Sequence, residues 1–340
     1  MLLRHIVAGL LAAGVLAPAA GTLGRPASAA APSPGGGIGF RLLEAPVAER
    51  ANSRAWYYII DHLAPGADIH RRVEVSNTTG SPQQLSLYAA AAEIRDHKFQ
   101  FAPGRTPNEL STWTTTSRHE VTLAPHARST VTAKIDVPAD AAPGERYAVI
   151  WAETAKAAPP GGGVAVINRV GIRIYLSVGP GNPPASAFTI DSLTAQRSPD
   201  GRQVVLARVH NTGGRALDLS GDLKLSNGPG QLTAGPFKVK TGTTLAPGEW
   251  GSVTVVLTEQ VPDGPWRARM RLESGLTRHA AEATIRFPAA PGTAQASKTE
   301  TDPSYYLIAA LAGVILFALV AITFLLNQRK RRARPERNNA

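Results

Sequence analysis

The chain has 340 residues, a formal net charge of +11 and no cysteine. The lack of cysteine excludes disulfides, thiol catalysis and thiolate metal sites, so an apolar core alone must hold the fold together. Much of the positive charge lies at the C-terminus, where it indicates membrane topology, and we therefore predict no nucleic-acid binding.

The first residues, MLLRHIVAGLLAAGVLAPAA, contain one basic residue, Arg4, followed by a short apolar run. This pattern is typical of a secretory signal peptide. Because Ala27 and Ala29 fit the Ala-x-Ala cleavage pattern, we predict a signal peptide over residues 1–29. The alternative is a first transmembrane helix, although the apolar run is short for a bilayer core about 30 Å thick.

Short alternating apolar runs follow, separated by turn signals about ten residues apart, which is typical of antiparallel β-sandwiches. The clearest run is VGIRIYLSV, residues 170–178, and its alternation predicts a strand with one buried face and one face in water. The segment ERYAVIWAET, residues 145–154, precedes it. With the loop AKAAPPGGG between them, the two runs predict a long hairpin.

Three prolines within GPGNPP, residues 179–184, predict a boundary between two modules. Matching phrases occur in the same order on both sides of it: VSNTTG and VHNTGG, then Leu-Ala-Pro twice. This repetition predicts two related Ig-like modules, at residues 37–179 and 185–287. We interpret the phrases as turn chemistry in which Asn77 and Asn211 each end a strand, since asparagine tolerates left-handed backbone and can bond nearby backbone groups.

The last part of the chain predicts attachment to a membrane. Residues 288–304 lack apolar periodicity and predict a flexible stalk. Residues 305–326, YYLIAALAGVILFALVAITFLL, predict a transmembrane helix, and the basic tail over 327–340 predicts a cytoplasmic C-terminus. The localisation prediction is therefore a single-pass protein of the cell membrane with an extracellular ectodomain.

The fold-class prediction is accordingly all-β: two tandem Ig-like β-sandwiches with an N-terminal signal peptide and one C-terminal transmembrane helix. No histidine pair has a metal-ligand spacing, there is no Gly-x-Ser-x-Gly elbow, and the glycine runs lack the lysine of a phosphate loop. We therefore predict no enzyme activity, no cofactor and no metal site.

An irregular insertion at residues 85–117 carries aromatic residues that the second module lacks. The candidate ligand-binding residues in and next to it are Phe99, Phe101, Arg105, Trp113 and Arg118. Aromatic rings stack on sugars and peptides, and arginine pairs with the carboxylates of peptide stems. The alternative is that these side chains only cap the core of the sandwich.

Four stretches of the first module carry a family resemblance: GIGFRLLEAP, VEVSNTTGSPQQLSLYAAAA, VTLAPHARSTVTAKIDVPADAAPGERYAVIWAE and VINRVGIRIYLSV. Together they resemble the WxL-interacting proteins of Gram-positive bacteria. The resemblance implies a non-catalytic, membrane-anchored cell-surface protein whose partners are peptidoglycan and a WxL-type surface protein. Pairing at a sheet edge is the natural mode by which an Ig-like module would bind a protein strand. The alternative is a chaperone-like interaction or assembly scaffold without affinity for the cell wall.

Overall fold

The computed structural model describes residues 36–156 and 166–301, which belong to one compact unit. These residues form two β-sandwiches, so the all-β prediction is confirmed. Other predictions lie outside the described residues: the signal peptide (1–29), most of the hairpin loop (157–165), the transmembrane helix (305–326) and the basic tail (327–340).

The first sandwich precedes residue 179. Its strands are β1 (Ile38–Leu42), β2 (Ile59–Leu63), β3 (Asp68–Asn77), β4 (Gln83–Arg95), β5 (Lys98–Phe101), β6 (Thr114–Thr116), β7 (Glu120–Leu123), β8 (Arg128–Asp136), β9 (Gly144–Lys156) and β10 (Val166–Val178). Its helices are α1 (Glu109–Trp113) and the short 3-10 helices Val47–Glu49 and Ser53–Trp56. One sheet has the strand order β1-β3-β8-β6, and the other has the order β2-β10-β9-β4-β5 with β7 also paired to β4.

The second sandwich begins at Phe188. Its strands are β11 (Phe188–Arg197), β12 (Gln203–Asn211), β13 (Leu217–Asp218), β14 (Ser220–Ser226), β15 (Ala234–Lys238), β16 (Thr244–Leu245), β17 (Trp250–Val256), β18 (Pro265–Ser274), β19 (Thr277–Arg286), β20 (Gly292–Thr293), β21 (Ser297–Lys298) and β22 (Glu300–Thr301). A short 3-10 helix covers Pro229–Gln231. One sheet has the order β17-β12-β11-β20 with β21 also on β11, the other has the order β15-β14-β18-β19-β22, and β13 pairs with β16.

Residues 288–301 differ from the flexible stalk that their composition predicts. β20 and β21 pair with β11, and β22 pairs with β19. Thr299 Oγ1 donates to the Ile190 carbonyl at 2.5 Å, and Ala294 N donates to the Ala195 carbonyl at 2.9 Å. Because these contacts use backbone and hydroxyl groups, they leave no apolar periodicity in the sequence.

The inner face of β10 follows its predicted alternation, and the outer face does not. The inner side chains in contact with the core are those of Val170, Ile172, Ile174, Leu176 and Val178. On the outer face, Tyr175 and Ser177 are also buried. The prediction of a water-exposed outer face is therefore wrong for the C-terminal half of β10, because aromatic rings and the second sandwich cover it.

The repeated Asn-Thr phrase forms the same corner in both sandwiches. Asn77 ends β3 and Asn211 ends β12, and both side chains are buried. Asn77 Nδ2 donates to the Ala124 carbonyl and Asn211 Nδ2 to the Ala246 carbonyl, both at 3.0 Å. Each asparagine therefore ties the end of its strand to the Leu-Ala-Pro phrase, a contact between distant residues that the turn-chemistry interpretation did not include.

The left-handed residue of this corner lies in the Leu-Ala-Pro turn and not at the asparagine. A backbone hydrogen bond of 3.1 Å closes the turn across residues 124–127 and again across 246–249. The residue after the proline is His126, with φ 59°, in the first sandwich and Gly248, with φ 77°, in the second. Glycine adopts this conformation without strain, whereas a residue with a Cβ does not.

We expect His126→Gly to raise the free energy of unfolding by about 0.5 kcal/mol, and Gly248→His to lower it by at least as much. No atom lies within 4 Å of the position that a Cβ would occupy at Gly248, so backbone strain and not collision causes the loss. Urea unfolding measures both variants. A less stable His126→Gly protein would mean that the imidazole makes a contact worth more than its strain.

Candidate functional site

The outer face of the β2-β10-β9-β4-β5 sheet carries a chain of aromatic rings in contact with one another. The ring centroids are 5.6 Å apart for Tyr58 and Tyr175, 5.0 Å for Tyr175 and Phe99, 5.5 Å for Phe99 and Phe101, and 4.8 Å for Phe101 and Trp151. Tyr88 lies directly opposite Trp151 in the pairing of β4 with β9. Tilted and edge-on pairs at these distances are favourable. These six rings are called the aromatic face below.

Four arginines place their guanidinium groups over the aromatic face. The distances to the ring centroids are 5.0 Å for Arg54 over Tyr175, 4.7 Å for Arg173 over Phe99, 4.4 Å for Arg169 over Trp151 and 4.1 Å for Arg105 over Tyr88. Such cation–π contacts contribute about 0.5–2 kcal/mol each. Arg54 and Arg173 also face the carboxylate of Asp218. Arg105 and Arg169 form no ion pair with any residue of 36–156 or 166–301.

Trp151 lies across β10 because its neighbour in the register is a glycine. Gly171 pairs directly with Trp151, and a Cβ at Gly171 would lie 2.7 Å from the indole ring. Beside the indole, Tyr88 OH donates to Glu153 Oε2 at 2.5 Å. Trp151 is only 6% exposed, yet its buried Nε1 has no hydrogen-bond partner in residues 36–156 and 166–301.

The other end of the aromatic face meets the second sandwich at Asp218. Arg54 Nη2 lies 2.7 Å from Asp218 Oδ2. Tyr175 OH donates to Asp218 Oδ1 at 3.1 Å, and Thr244 Oγ1 donates to the same oxygen at 2.7 Å. Burial, and then the charge of Asp218, raise the pKa of Tyr175, so the phenol keeps the proton that it donates. One carboxylate thus collects donors from both sandwiches.

A second carboxylate crosses the junction in the opposite direction. Glu145 on β9 accepts hydrogen bonds from the backbone N–H of Ala216, at 2.7 Å, and from Tyr147 OH, at 2.6 Å. Burial raises the pKa of Glu145, and these two donors oppose the rise. In the turn between β4 and β5, the His97 carbonyl accepts from Thr244 N at 2.8 Å. Buried hydrogen bonds therefore hold the two sandwiches against each other.

The structure brings together three of the five predicted binding residues. Phe99, Phe101 and Arg105 all belong to the aromatic face or stack on it. Trp113 ends α1 and packs against the core of the first sandwich, and Arg118 is exposed beyond β6. The predicted set therefore does not form one surface.

Phe99 and Phe101 differ in exposure, since Phe99 is 7% exposed and Phe101 is 38% exposed. Only Phe101 of this pair offers ring surface to a ligand. Sequence reasoning missed the partners Tyr88, Trp151 and Arg169. Their signal was their place at alternate, outward positions of β4, β9 and β10.

The strand β10 is paired along its whole length on one side only. β9 pairs with all of Val166–Val178, whereas β2 pairs only with Ile174–Val178. Within the described part of the chain, no strand pairs with residues 166–173 on the β2 side. This part of β10 is therefore an open sheet edge.

The backbone groups that face this open edge follow from the strand geometry. Gly179 N donates to the Leu63 carbonyl on the β2 side. Successive residues of a strand point their N–H and C=O groups to opposite sides. The other odd-numbered residues of β10 therefore direct these groups to the same side as Gly179. At the open part these residues include Ile167, Arg169 and Gly171.

Half-buried apolar side chains line the gap between the two sheets next to this edge. They are Ile38 and Phe40 from β1 and Val170 from β10, and all three pack against the core. In residues 36–156 and 166–301, no three His, Asp or Glu side chains are grouped so that they could hold a metal ion.

No family model matches the chain, and no curated protein matches its sequence. Its fold is similar to solved structures of fimbrial chaperones. A chaperone–tip adhesin complex of CFA/I fimbriae is 12% identical with a TM-score of 0.35, covering 69% of this chain and 98% of that chain. The YadV chaperone is 11% identical with a TM-score of 0.37, covering 73% and 98%. The E. coli chaperone DraB is 13% identical with a TM-score of 0.35, covering 72% and 95%.

These comparisons correct the family prediction. The identification with WxL-interacting proteins is wrong, because no family model, including any for those proteins, matches the chain. The predictions of peptidoglycan, a WxL-type protein and the cell wall depended on that resemblance and are withdrawn with it.

The predicted localisation, a single-pass protein of the cell membrane, is corrected as well. Within residues 36–156 and 166–301 no helix has the length and apolar character needed to span a bilayer. The span predicted at residues 305–326 lies outside the described residues.

Proposed function

We propose that the chain is a non-catalytic protein-binding scaffold that holds an extended segment of a partner protein along the open edge of β10. The observation that carries the proposal is that no strand of residues 36–156 or 166–301 pairs with residues 166–173 on the side away from β9. A strand added to such an edge gains affinity from main-chain hydrogen bonds and specificity from its alternate side chains.

Backbone and side chains at this edge suit an added strand. Ile167, Arg169 and Gly171 supply the N–H and C=O groups that a partner backbone would pair with. The partner's inward side chains would then meet the apolar surface of Ile38 and Phe40. A partner segment that alternates apolar with polar residues fits both requirements.

The binding edge is also held in place before a partner arrives. β9 pairs with β10 over its full length. The C-terminal half of β10 is also fixed by the hydrogen bond of Tyr175 with Asp218 of the second sandwich. Such preorganisation lowers the entropy that binding must cost. The second sandwich thus contributes to binding by fixing the strand that binds.

We expect Ile167→Pro to weaken the binding of an alternating apolar peptide of about ten residues by about tenfold, because proline removes one edge N–H. Since this N–H points away from β9, the β9–β10 pairing remains and the urea midpoint stays unchanged. Fluorescence anisotropy with a labelled peptide measures the affinity.

Ile167→Ala is the matched control, because it keeps the N–H and removes most of a side chain that is 61% exposed. We expect it to bind within about threefold of the original chain. If Ala and Pro weaken binding equally, the side chain and not the backbone makes the contact. If a scrambled peptide binds as well as the alternating one, the edge does not capture a strand and the proposal fails.

A further inference from the structure

We propose that Arg105, Arg169 and Trp151 form a carboxylate-binding site that takes an acidic side chain of the captured strand. This inference rests on the proposed function and names the chemistry of the partner. It is carried by two guanidinium groups and one buried indole N–H that have, among the described residues, no carboxylate partner and no acceptor respectively.

The two guanidinium groups are held over aromatic rings, and neither forms an ion pair with residues 36–156 or 166–301. Arg169 stacks on Trp151 and Arg105 stacks on Tyr88, and these two rings are direct neighbours across β4 and β9. A guanidinium that lies over a ring keeps its in-plane N–H donors for another ligand, and the fork of donors matches a carboxylate. Both arginines are exposed, so an incoming carboxylate can reach them.

The indole N–H of Trp151 is a second, independent feature that calls for a hydrogen-bond acceptor. Trp151 is 6% exposed, and its Nε1 has no hydrogen-bond partner in the part of the chain that the structure describes. An indole N–H only donates, and burying it without an acceptor is unfavourable. A carboxylate oxygen held by the guanidinium stacked on this ring is the acceptor that we infer for Nε1.

The charge around Arg105 and Arg169 favours an anion although the acidic residue Glu153 lies next to them. Glu153 lies opposite Arg169 in the register of β9 with β10, and it accepts the hydrogen bond of Tyr88. It lies on the β9 side of Arg169, away from the open edge. Two guanidinium groups against one carboxylate leave the site with a net positive charge.

The open edge sets where the acidic residue would lie. A strand added to β10 places one residue directly opposite Arg169, with its side chain on the same face and Cβ atoms about 5 Å apart. An aspartate or glutamate at that outward position is within reach of the Arg169 guanidinium. The partner segment would therefore have an apolar residue at every second position, facing inward. It would also have an acidic residue at a central position that faces outward.

The test compares two peptides of about ten residues that alternate valine with threonine and differ only in a central outward glutamate or glutamine. We expect the glutamate peptide to bind about fivefold more tightly at low salt, with the preference reduced at high salt. We also expect one indole N–H proton resonance to move downfield with the glutamate peptide, and this resonance to be missing in Trp151→Phe.

The double variant Arg105→Gln and Arg169→Gln should bind the glutamate and glutamine peptides with equal affinity. Equal affinity of the two peptides for the original chain would overturn this inference and leave edge capture intact. A preference for glutamate that survives in the double variant would also overturn it. If neither peptide binds, the proposed function fails and this inference fails with it.

Discussion

Asp218→Ala is expected to lower the free energy of unfolding by about 3 kcal/mol, since it leaves the guanidinium of Arg54 buried without its counter-charge. The side chains of Arg54 and Asp218 are only 12% and 20% exposed. The substitution also removes the acceptor of Tyr175 OH and of Thr244 Oγ1. Urea unfolding followed by circular dichroism measures the loss.

The design of the control follows from the same contacts. Asp218→Asn keeps an oxygen for Tyr175 and Thr244 and removes the charge, so we expect a loss between that of Asp218→Ala and zero. Combining Asp218→Ala with Arg54→Met should recover part of the loss, because no unpaired charge remains. A loss below about 1 kcal/mol for Asp218→Ala would mean that solvent reaches this pair and screens it.

The strands of each sandwich were predictable because their signals are local. Alternation over residues 170–178 predicts the inner face of β10, and the repeated phrases at Asn77 and Asn211 predict the corner that both sandwiches share. The short strands over residues 292–301 were not predictable. They pair through backbone and hydroxyl groups, and such contacts need no apolar pattern.

The aromatic face was only partly predictable, because its members come from separate strands. Phe99 and Phe101 drew attention as a pair within four residues, whereas Trp151 and Gly171 meet only through the register of β9 with β10. Arg173 reads as a solvent-facing residue in an alternating strand, yet it stacks on a ring. The alternation of side chains along a strand cannot by itself distinguish a solvent-exposed face from a face covered by arginines and aromatic rings.

The contact between the two sandwiches could not be predicted from local sequence patterns. Arg54 donates to the Ala216 carbonyl across a sequence separation of 162 residues. Nothing in the surrounding sequence marks Arg54 or Asp218 as partners, because each reads as an ordinary polar residue near the end of an apolar run. Only the packing of one sandwich on the other removes both from water.

Asn77→Ala and Asn211→Ala are each expected to lower the free energy of unfolding by about 3 kcal/mol, for the same reason in both sandwiches. The two asparagines are 1% and 0% exposed. Asn77 Nδ2 also donates to the Ser81 carbonyl at 2.8 Å, and Asn211 Nδ2 to the Arg215 carbonyl at 2.9 Å. Alanine removes the donor from each of these contacts, and a carbonyl that is shielded from water and left without a donor costs more than the bond itself contributes.

The matched control for the corner is Asn168→Ala, an exposed asparagine on β10, for which we expect a change within about 0.5 kcal/mol. Asn77→Asp and Asn211→Asp sharpen the test, because aspartate keeps the oxygen that accepts from the backbone N–H of Thr79 or Gly213. It lacks the Nδ2 donor and adds a buried charge, so it should destabilise the protein at least as much as alanine does. An aspartate variant as stable as the original chain would mean that the accepted hydrogen bond, and not the donated ones, holds the corner.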